Sequence, residues 1–276
     1  MARRSRPSLK SRSKSNPWAR TWMTLGIVSI CAVIGGLLFY GAFYSKKIVL
    51  DKVSGCPING PVSKTVILID QTDTFTHVQV VDIQNQFEAY KESIPRYGEL
   101  VIYTIRSESS VSPTPIIRAC NPGNEEDVNQ LIESSIRIAQ KWRDLFDEPI
   151  REVMKDVLQP MSSKTSPIIE TIQAVPVYEF GSKKMDNRDK NLIIVSDLLQ
   201  HSNALSHYSR KYNINSFIES QSYKKLSADL RDVDVDLLYL RRNTRKANQN
   251  SEHRNFWVRL IQEQGGSVRK IYSVSG

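Results

Sequence analysis

Asp70, Thr72 and Thr74 alternate in the stretch Ile69-Asp70-Gln71-Thr72-Asp73-Thr74, directly after a run of apolar, β-branched residues. One carboxylate and two hydroxyls on a turn are hard oxygen ligands, the kind Mg²⁺ or Mn²⁺ takes while keeping several of its waters. A loop at a strand end offers them without strand pairing in the way. The same residue types also suit helix capping, because Asp and Thr accept from the first free N–H groups of a helix. The two roles do not exclude one another. Asp73 reads as a solvated acid favoured by the dipole of the following helix. His77, His201, His207 and His253 form no ligand spacing, and His201 and His207 read as surface residues. Spacings for zinc, haem or a redox Cys-x-x-Cys pair are absent from the sequence.

Such ligands need a rigid frame, and the hydrophobic pattern supplies one. Thr65 to Ile69 (TVILI) has the continuous apolar character of a strand buried on both faces of a parallel sheet. Val80, Ile83, Phe87, Tyr90 and Ile94 then recur at helical steps, ending before Pro95 and Gly98. Glu99 to Ile105 predicts a second strand. Pro115 to Cys120 predicts a short third one, its leading proline suiting an edge. Glu125 to Leu158 carries Val128, Leu131, Ile132, Ile136, Ala139, Trp142, Leu145 and Phe146 at helical spacing, with Pro149 expected to break or kink it. Trp142 and Trp257 are core candidates. A short helix is expected from about Ser166-Pro167, a strand over Asn191 to Val195, and a helix over about Phe217 to Leu230. Strand Val235 to Leu240, helix Glu252 to Gln264 and strand Val268 to Val274 complete the chain. Strands alternating with helices predict an α/β fold with a doubly wound, mostly parallel sheet, whose ligands lie at the carboxyl ends of the strands.

Ahead of this domain, Thr21 to Tyr44 carries no charge, and neither does anything between Arg20 and Lys46. At 1.5 Å per residue the run spans a hydrocarbon core of roughly 30 Å, with Trp22 and Tyr40/Tyr44 at its ends. A cleaved signal peptide has a shorter apolar region and a small-x-small site, so this run predicts an uncleaved anchor. Arg3, Arg4, Arg6, Lys10, Arg12, Lys14 and Arg20 precede it without an acid among them, which places the tail in the cytosol and the domain outside. Length, polar tail and single anchor suit a bacterial inner-membrane protein with a periplasmic domain, and a eukaryotic type II protein is the alternative. The organisation expected is a basic tail over 1–20, a transmembrane helix over 21–44, a linker over 45–63 and a domain over 64–276, with a long helical insertion at about 125–160. Gly35 and Gly36 permit helix pairing and so oligomerisation through the anchor.

The charge is distributed unevenly. The 276 residues hold 38 Lys and Arg against 29 Asp and Glu, and seven of the 38 belong to the tail, which leaves 31 for the remainder. The outer part is therefore nearly neutral, and nucleic acid is not an expected partner. Cys31 lies in the apolar run, whereas Cys56 and Cys120 sit in turn-rich outer loops. Two thiols in an oxidising compartment suit a bridge, although spacing never proves connectivity.

The Asp70-x-Thr72-x-Thr74 turn after the first strand resembles the Asp-x-Ser-x-Ser opening of the metal-ion-dependent adhesion site in the von Willebrand factor type A (vWA) family. The stretch Lys164-Thr165-Ser166-Pro167 resembles the family's second segment, where a Thr precedes a proline; Ser166 matches it by position and Thr165 is the alternative. Asp197 in IIVSDLL matches the family's third contribution, an Asp after the fourth strand, although Leu198 stands where the family has glycine. The resemblance covers roughly Thr65 to Val274 and implies a metal set of Asp70, Thr72, Thr74, Thr165 or Ser166, and Asp197. It also implies an antiparallel third strand two places from the first. That strand returns Cys120 to the bottom of the sheet, about 10 Å by strand spacing from Cys56.

Function follows as an expectation. The resemblance implies a membrane-tethered protein–protein interaction module that takes an acidic side chain of a partner at a divalent cation. A metal-free structural subunit of a membrane complex is the alternative. Asp70 also resembles the aspartyl nucleophile of haloacid-dehalogenase-type phosphatases, but Thr72 replaces the second acid that such chemistry needs. No enzyme activity and no catalytic residue are expected.

Overall fold

The computed structural model describes residues 17–44, 48–51, 55–107, 113–123, 134–159, 161–209, 212–243 and 248–274. The tail through residue 16, linker residues 45–47 and 52–54, and the start of the expected insertion at 124–133 lie outside them. The chain divides into two units, Met1–Ile48 and Val49–Gly276. In the first, helix α1 spans Pro17–Tyr44, and its Thr21–Tyr40 stretch is long and apolar enough to cross a membrane, with no part buried against protein.

The second unit is α/β. Six strands, β1 (Ser63–Asp70), β2 (Glu99–Ile105), β3 (Ile117–Cys120), β4 (Asp189–Ser196), β5 (Val233–Leu240) and β6 (Ser267–Val274), form one sheet in the order β3-β2-β1-β4-β5-β6. All pairings are parallel except β2 with β3. The short third strand is thus antiparallel and two places from β1, as expected. It begins at Ile117, two residues after Pro115, which has no N–H to give to the ladder.

All eight residues of β1 are buried, and their alternation divides the core in two. Val66 and Leu68 face α5 (Ile168–Glu179) and α8 (Ser251–Glu263), packing with Ile172, Trp257 and Ile261. Ile67 and Ile69 face the other way, toward Ile83 and Phe87 of α2 (His77–Ser93) and Ile150 and Met154 of α4 (Glu148–Val157). Helices therefore cover both faces of the sheet, the reason its central strands read as unbroken apolar runs.

Helical details depart from the sequence pattern at three places. Thr76 caps α2, accepting from Gln79 N at 3.2 Å while Gln79 Oε1 accepts from Thr76 N at 3.1 Å; this capping box leaves Asp70, Thr72 and Thr74 out of the capping role. Between α3 (Ser135–Trp142) and α4 lies a π-helical turn, Arg143–Asp147, in which Glu148 N donates to Arg143 O. The extra residue sits just before Pro149, which cannot donate to the carbonyl four residues back, so the helix widens there and continues. Ile136 and Leu145, expected on the apolar face, are exposed. The expected helix over Phe217 to Leu230 is two, α6 (Ile214–Ile218) and α7 (Gln221–Leu226). Ser220 divides them: its hydroxyl donates to Phe217 O at 2.6 Å and accepts from Tyr223 N at 3.1 Å.

At the lower end of the sheet, the carboxylate of Glu179 draws α5 onto three strands. It accepts from Lys64 Nζ at 2.9 Å, from Arg118 at 2.6 and 3.0 Å, and from the Tyr103 hydroxyl. Burial alone would push this carboxyl up, but the bonds from Arg118, Lys64 and Tyr103 hold it down at about 2. Beside it, Cys56 and Cys120 stand as a disulfide with a Cα–Cα separation of 5.1 Å, closing a sequence separation of 64 residues.

A loop of that length gives the bridge leverage over the unfolded chain, about 2–4 kcal/mol. Cys120→Ser is expected to lower the unfolding midpoint in urea by a corresponding amount, and a reductant to do the same to the wild type. Equal midpoints for oxidised and reduced protein would show that the pair is not bonded.

Candidate functional site

Parallel pairing of β1 with β4 sets Ile69 against Val195, so the residues that end the two strands emerge side by side. Asp70 ends β1; Ser196 ends β4 and Asp197 follows it. All three are buried. The Asp70 carboxylate accepts at both oxygens. Oδ1 takes the Thr72 backbone N–H at 2.9 Å and the Thr72 hydroxyl at 2.6 Å. Oδ2 takes the Ser196 hydroxyl at 2.6 Å and the Ser166 hydroxyl at 3.3 Å.

Ser166 reaches the site because residues 161–167 run over it. An antiparallel bridge pairs Ser166 with His201, N to O at 2.8 and 2.9 Å. Ser163 N donates to Thr72 O at 2.8 Å, and buried Gln200 accepts from Ile169 N at the start of α5. Thr165 turns elsewhere, its hydroxyl donating to Ser107 O at 3.3 Å. Thr74 is exposed, and it joins the site through its carbonyl, which accepts from Arg242. Of the expected ligands, the fold thus brings together Asp70, Thr72, Ser166 and Asp197, and it directs the hydroxyl of Thr165 away.

Asp197 meets a cation that the sequence pattern does not announce. Its Oδ2 accepts from Arg242 Nε at 2.9 Å, and its Oδ1 accepts from Leu199 N at 2.9 Å. Arg242 lies just past β5, the strand beside β4. Gln249, which is also buried, fixes this corner: Nε2 donates to Asp197 O at 2.9 Å and to Leu240 O at 2.7 Å, while Oε1 accepts from Arg242 N at 2.7 Å. Arg241-Arg242 directly after an apolar strand was the available signal, visible once β5 is placed next to β4. Ser196, one residue before the recognised Asp, was equally visible.

In donor type the cluster fits a hard divalent ion: two carboxylates, of Asp70 and Asp197, and three hydroxyls, of Thr72, Ser166 and Ser196. In occupancy it does not, because the Arg242 guanidinium sits on Asp197 Oδ2. A second group, Cys56, Glu99 and Cys120, has ligand atoms within 4.8 Å of one another at the opposite end of the sheet. Its sulfurs are bonded to each other, which removes them as thiolate ligands.

Leu198, where the vWA resemblance expects glycine, holds φ at +59°. A side chain in this left-handed region costs about 1–2 kcal/mol, and the surroundings hold it there. The Leu198 side chain is buried, and its carbonyl draws Trp257 Nε1 at 2.9 Å, His253 Nε2 at 2.9 Å and His207 Nδ1 at 3.1 Å. The Tyr239 hydroxyl lies 2.7 Å from His253 Nδ1, which puts the His253 proton on Nε2 when Tyr239 donates. His207, read from the sequence as a surface residue, is buried against His253 and Phe256 at ring distances of 4.6 and 4.7 Å. A histidine in a polar loop carries no sign of the helix that will cover it.

No family model and no curated protein matches the chain. Among solved structures it is similar to the VWA domain of SpRpn10, with 11% identity over 78% of this chain and 88% of that one, at a TM-score of 0.43.

A cleft of about 800 Å³ adjoins the site, lined by Gln71, Arg106, Ser163 and Glu170 among others. Arg106 Nε donates to Gln71 Oε1 at 3.0 Å. Another cleft, of about 630 Å³, lies at the lower end of the sheet between Ser63, Lys190 and Arg269.

The buried groups titrate in opposition. Burial, reinforced by His253, pushes His207 down to about 3, and burial pushes His253 down to about 4. The unfolded chain protonates both below about 6.5 and the folded chain does not, so stability present above pH 6.5 is lost as the pH falls toward 4. Burial and then the charge of Asp197 raise Asp70 to about 6. Its ionised form therefore costs stability above pH 6, and that cost fades as the pH falls toward 4. Two protons against one leave a net loss on acidification. Asp70→Asn keeps an acceptor for Thr72 N and lets the serine hydroxyls turn round. It is expected to raise the thermal midpoint at pH 7.5 by about 2–6 °C and to lose that advantage by pH 4.5. A lower midpoint at pH 7.5 would show that the Asp70 charge is stabilising there.

Proposed function

We propose that the Val49–Gly276 unit is a protein-interaction module, held on a membrane by α1, and that it meets its partner at the upper edge of the sheet. The observation that carries this is the meeting of Asp70, Thr72, Ser166 and Asp197 at the carboxyl ends of β1 and β4, the place where open α/β sheets hold their ligands. The adjoining cleft, with Arg106 and Glu170 both in its lining, offers a partner side chain of either charge a counter-charge.

The charge-free run of α1, the basic residues before it and the Cys56–Cys120 pair support one topology: tail in the cytosol, domain in an oxidising compartment such as the periplasm. We propose no enzymatic role. Asp70 is 3% exposed with both carboxylate oxygens engaged, a poor state for a nucleophile, and Thr72 offers no general acid beside it. The alternative, a metal-free subunit of a membrane complex, draws support from Arg242, which gives the edge a cation of its own.

Site-specific photocrosslinking in cells tests the docking edge. A photoreactive residue at Thr74 or Thr165 is expected to give one discrete adduct, and the same residue at Asp189 or Ser267, by the lower cleft, to give none. Adducts confined to the lower positions, or no adduct from the upper ones, would overturn the assignment.

A further inference from the structure

We propose that Arg242 does in this chain what a divalent cation would do, tying the β1–α2 loop to the end of β4 with a fixed guanidinium in place of a metal. Its Nε donates to Asp197 Oδ2 at 2.9 Å and its Nη1 to the Thr74 carbonyl, so one side chain bridges the two loops whose oxygens the cluster gathers. The Arg242 side chain is 13% exposed and that of Asp197 3% exposed, so water screens the pair little.

The arginine is also built in. Its backbone N–H goes to Gln249 Oε1, and Arg241 donates to Gln249 O at 2.7 Å. The carbonyl of Arg241 in turn accepts from Gln79 Nε2 at 2.9 Å, at the start of α2. Arg241 and Arg242 are therefore held through Gln249 to Asp197 and Leu240, at the ends of β4 and β5, and directly to α2. A side chain merely lying over the edge would not need these supports.

The chemistry differs from that of a metal in two respects. A guanidinium holds its acceptors in one planar geometry, and it saturates them with directed N–H groups, leaving no vacant coordination position. An incoming acidic side chain would thus meet donors and not an open metal. A dication beside the guanidinium would also meet like-charge repulsion in a poorly screened place.

Mn²⁺ titration of the full-length protein in detergent, by calorimetry and by paramagnetic resonance, tests the assignment independently of any partner. The wild type is expected to show no saturable binding up to millimolar Mn²⁺ and an unfolding midpoint indifferent to Mn²⁺ or chelator. Arg242→Ala uncovers the buried Asp197 carboxylate beside Asp70 and is expected to bind Mn²⁺ at least tenfold more tightly than the wild type, with a rise in midpoint on adding the ion. Asp197→Asn in that background should abolish both effects. Saturable submillimolar binding by the wild type that is lost in Asp70→Asn would overturn the proposal. So would a folded Arg242→Ala that stays silent to Mn²⁺. Should Arg242→Ala fail to fold, Arg242→Lys decides: Mn²⁺ silence with retained folding supports a resident cation, and Mn²⁺ binding by this variant or by the wild type overturns it.

Discussion

Two strands that pair in parallel end at the same height, and here each of the two central ones delivers an aspartate there. Asp70 and Asp197 are both nearly inaccessible to water, so neither charge can be dissipated by solvent, and each needs donors or a cation. The upper edge can be understood as the answer to that constraint. Four donors converge on Asp70 and one guanidinium reaches Asp197. Because Arg242 lies on Asp197, Asp70 is left to its hydroxyl and N–H donors; burial raises its carboxyl and the neighbouring Asp197 raises it further.

The backbone past Asp197 follows from the same constraint. To aim the Asp197 carboxylate at Arg242 while giving Oδ1 to Leu199 N, the chain turns sharply at Leu198 into the left-handed region. Glycine would do this without strain. Leucine does it because its side chain fills core and its carbonyl is taken by Trp257, His253 and His207. Strain at a non-glycine residue persists only where the surroundings over-determine it, and α8 supplies those surroundings. The helix thereby acts on the site without touching the carboxylates: it fixes the turn that carries one of them.

The strands are legible in the sequence because burial on both faces leaves no polar residues to confuse the pattern, as in Val66 to Ile69. Asp70 and Asp197 are legible for the same reason, since each is the first acid after an unmistakable strand. What the pattern hides is approach through space. Nothing local marks Arg242 as the partner of Asp197, 45 positions away, or tells His207 that α8 will lie over it. Helix breaks are hidden differently. Ser220 serves as the end of one helix and the start of the next through a single hydroxyl, and Pro149 is absorbed by a π-turn that periodicity cannot foresee. The choice between Thr165 and Ser166 likewise turns on a contact: pairing with His201 points Ser166 inward, and alternation then sends the Thr165 hydroxyl to Ser107.

The two ends of the sheet answer the cost of buried charge in opposite ways. At the lower end Glu179 is over-compensated: Lys64, Arg118 and Tyr103 all serve it, and its carboxyl falls to about 2. That arrangement gains from ionisation and, with the adjacent disulfide, makes the lower end a clamp between α5 and the strands. At the upper end Asp70 is under-compensated, and burial and the neighbouring Asp197 raise its carboxyl to about 6. A fold that meant only to be stable would place an apolar residue there, since replacing buried charge by well-packed hydrophobic groups is often neutral or favourable. The asymmetry therefore argues that the lower end secures the domain and that the upper end keeps an unfavourable charge for a purpose outside the domain's own stability.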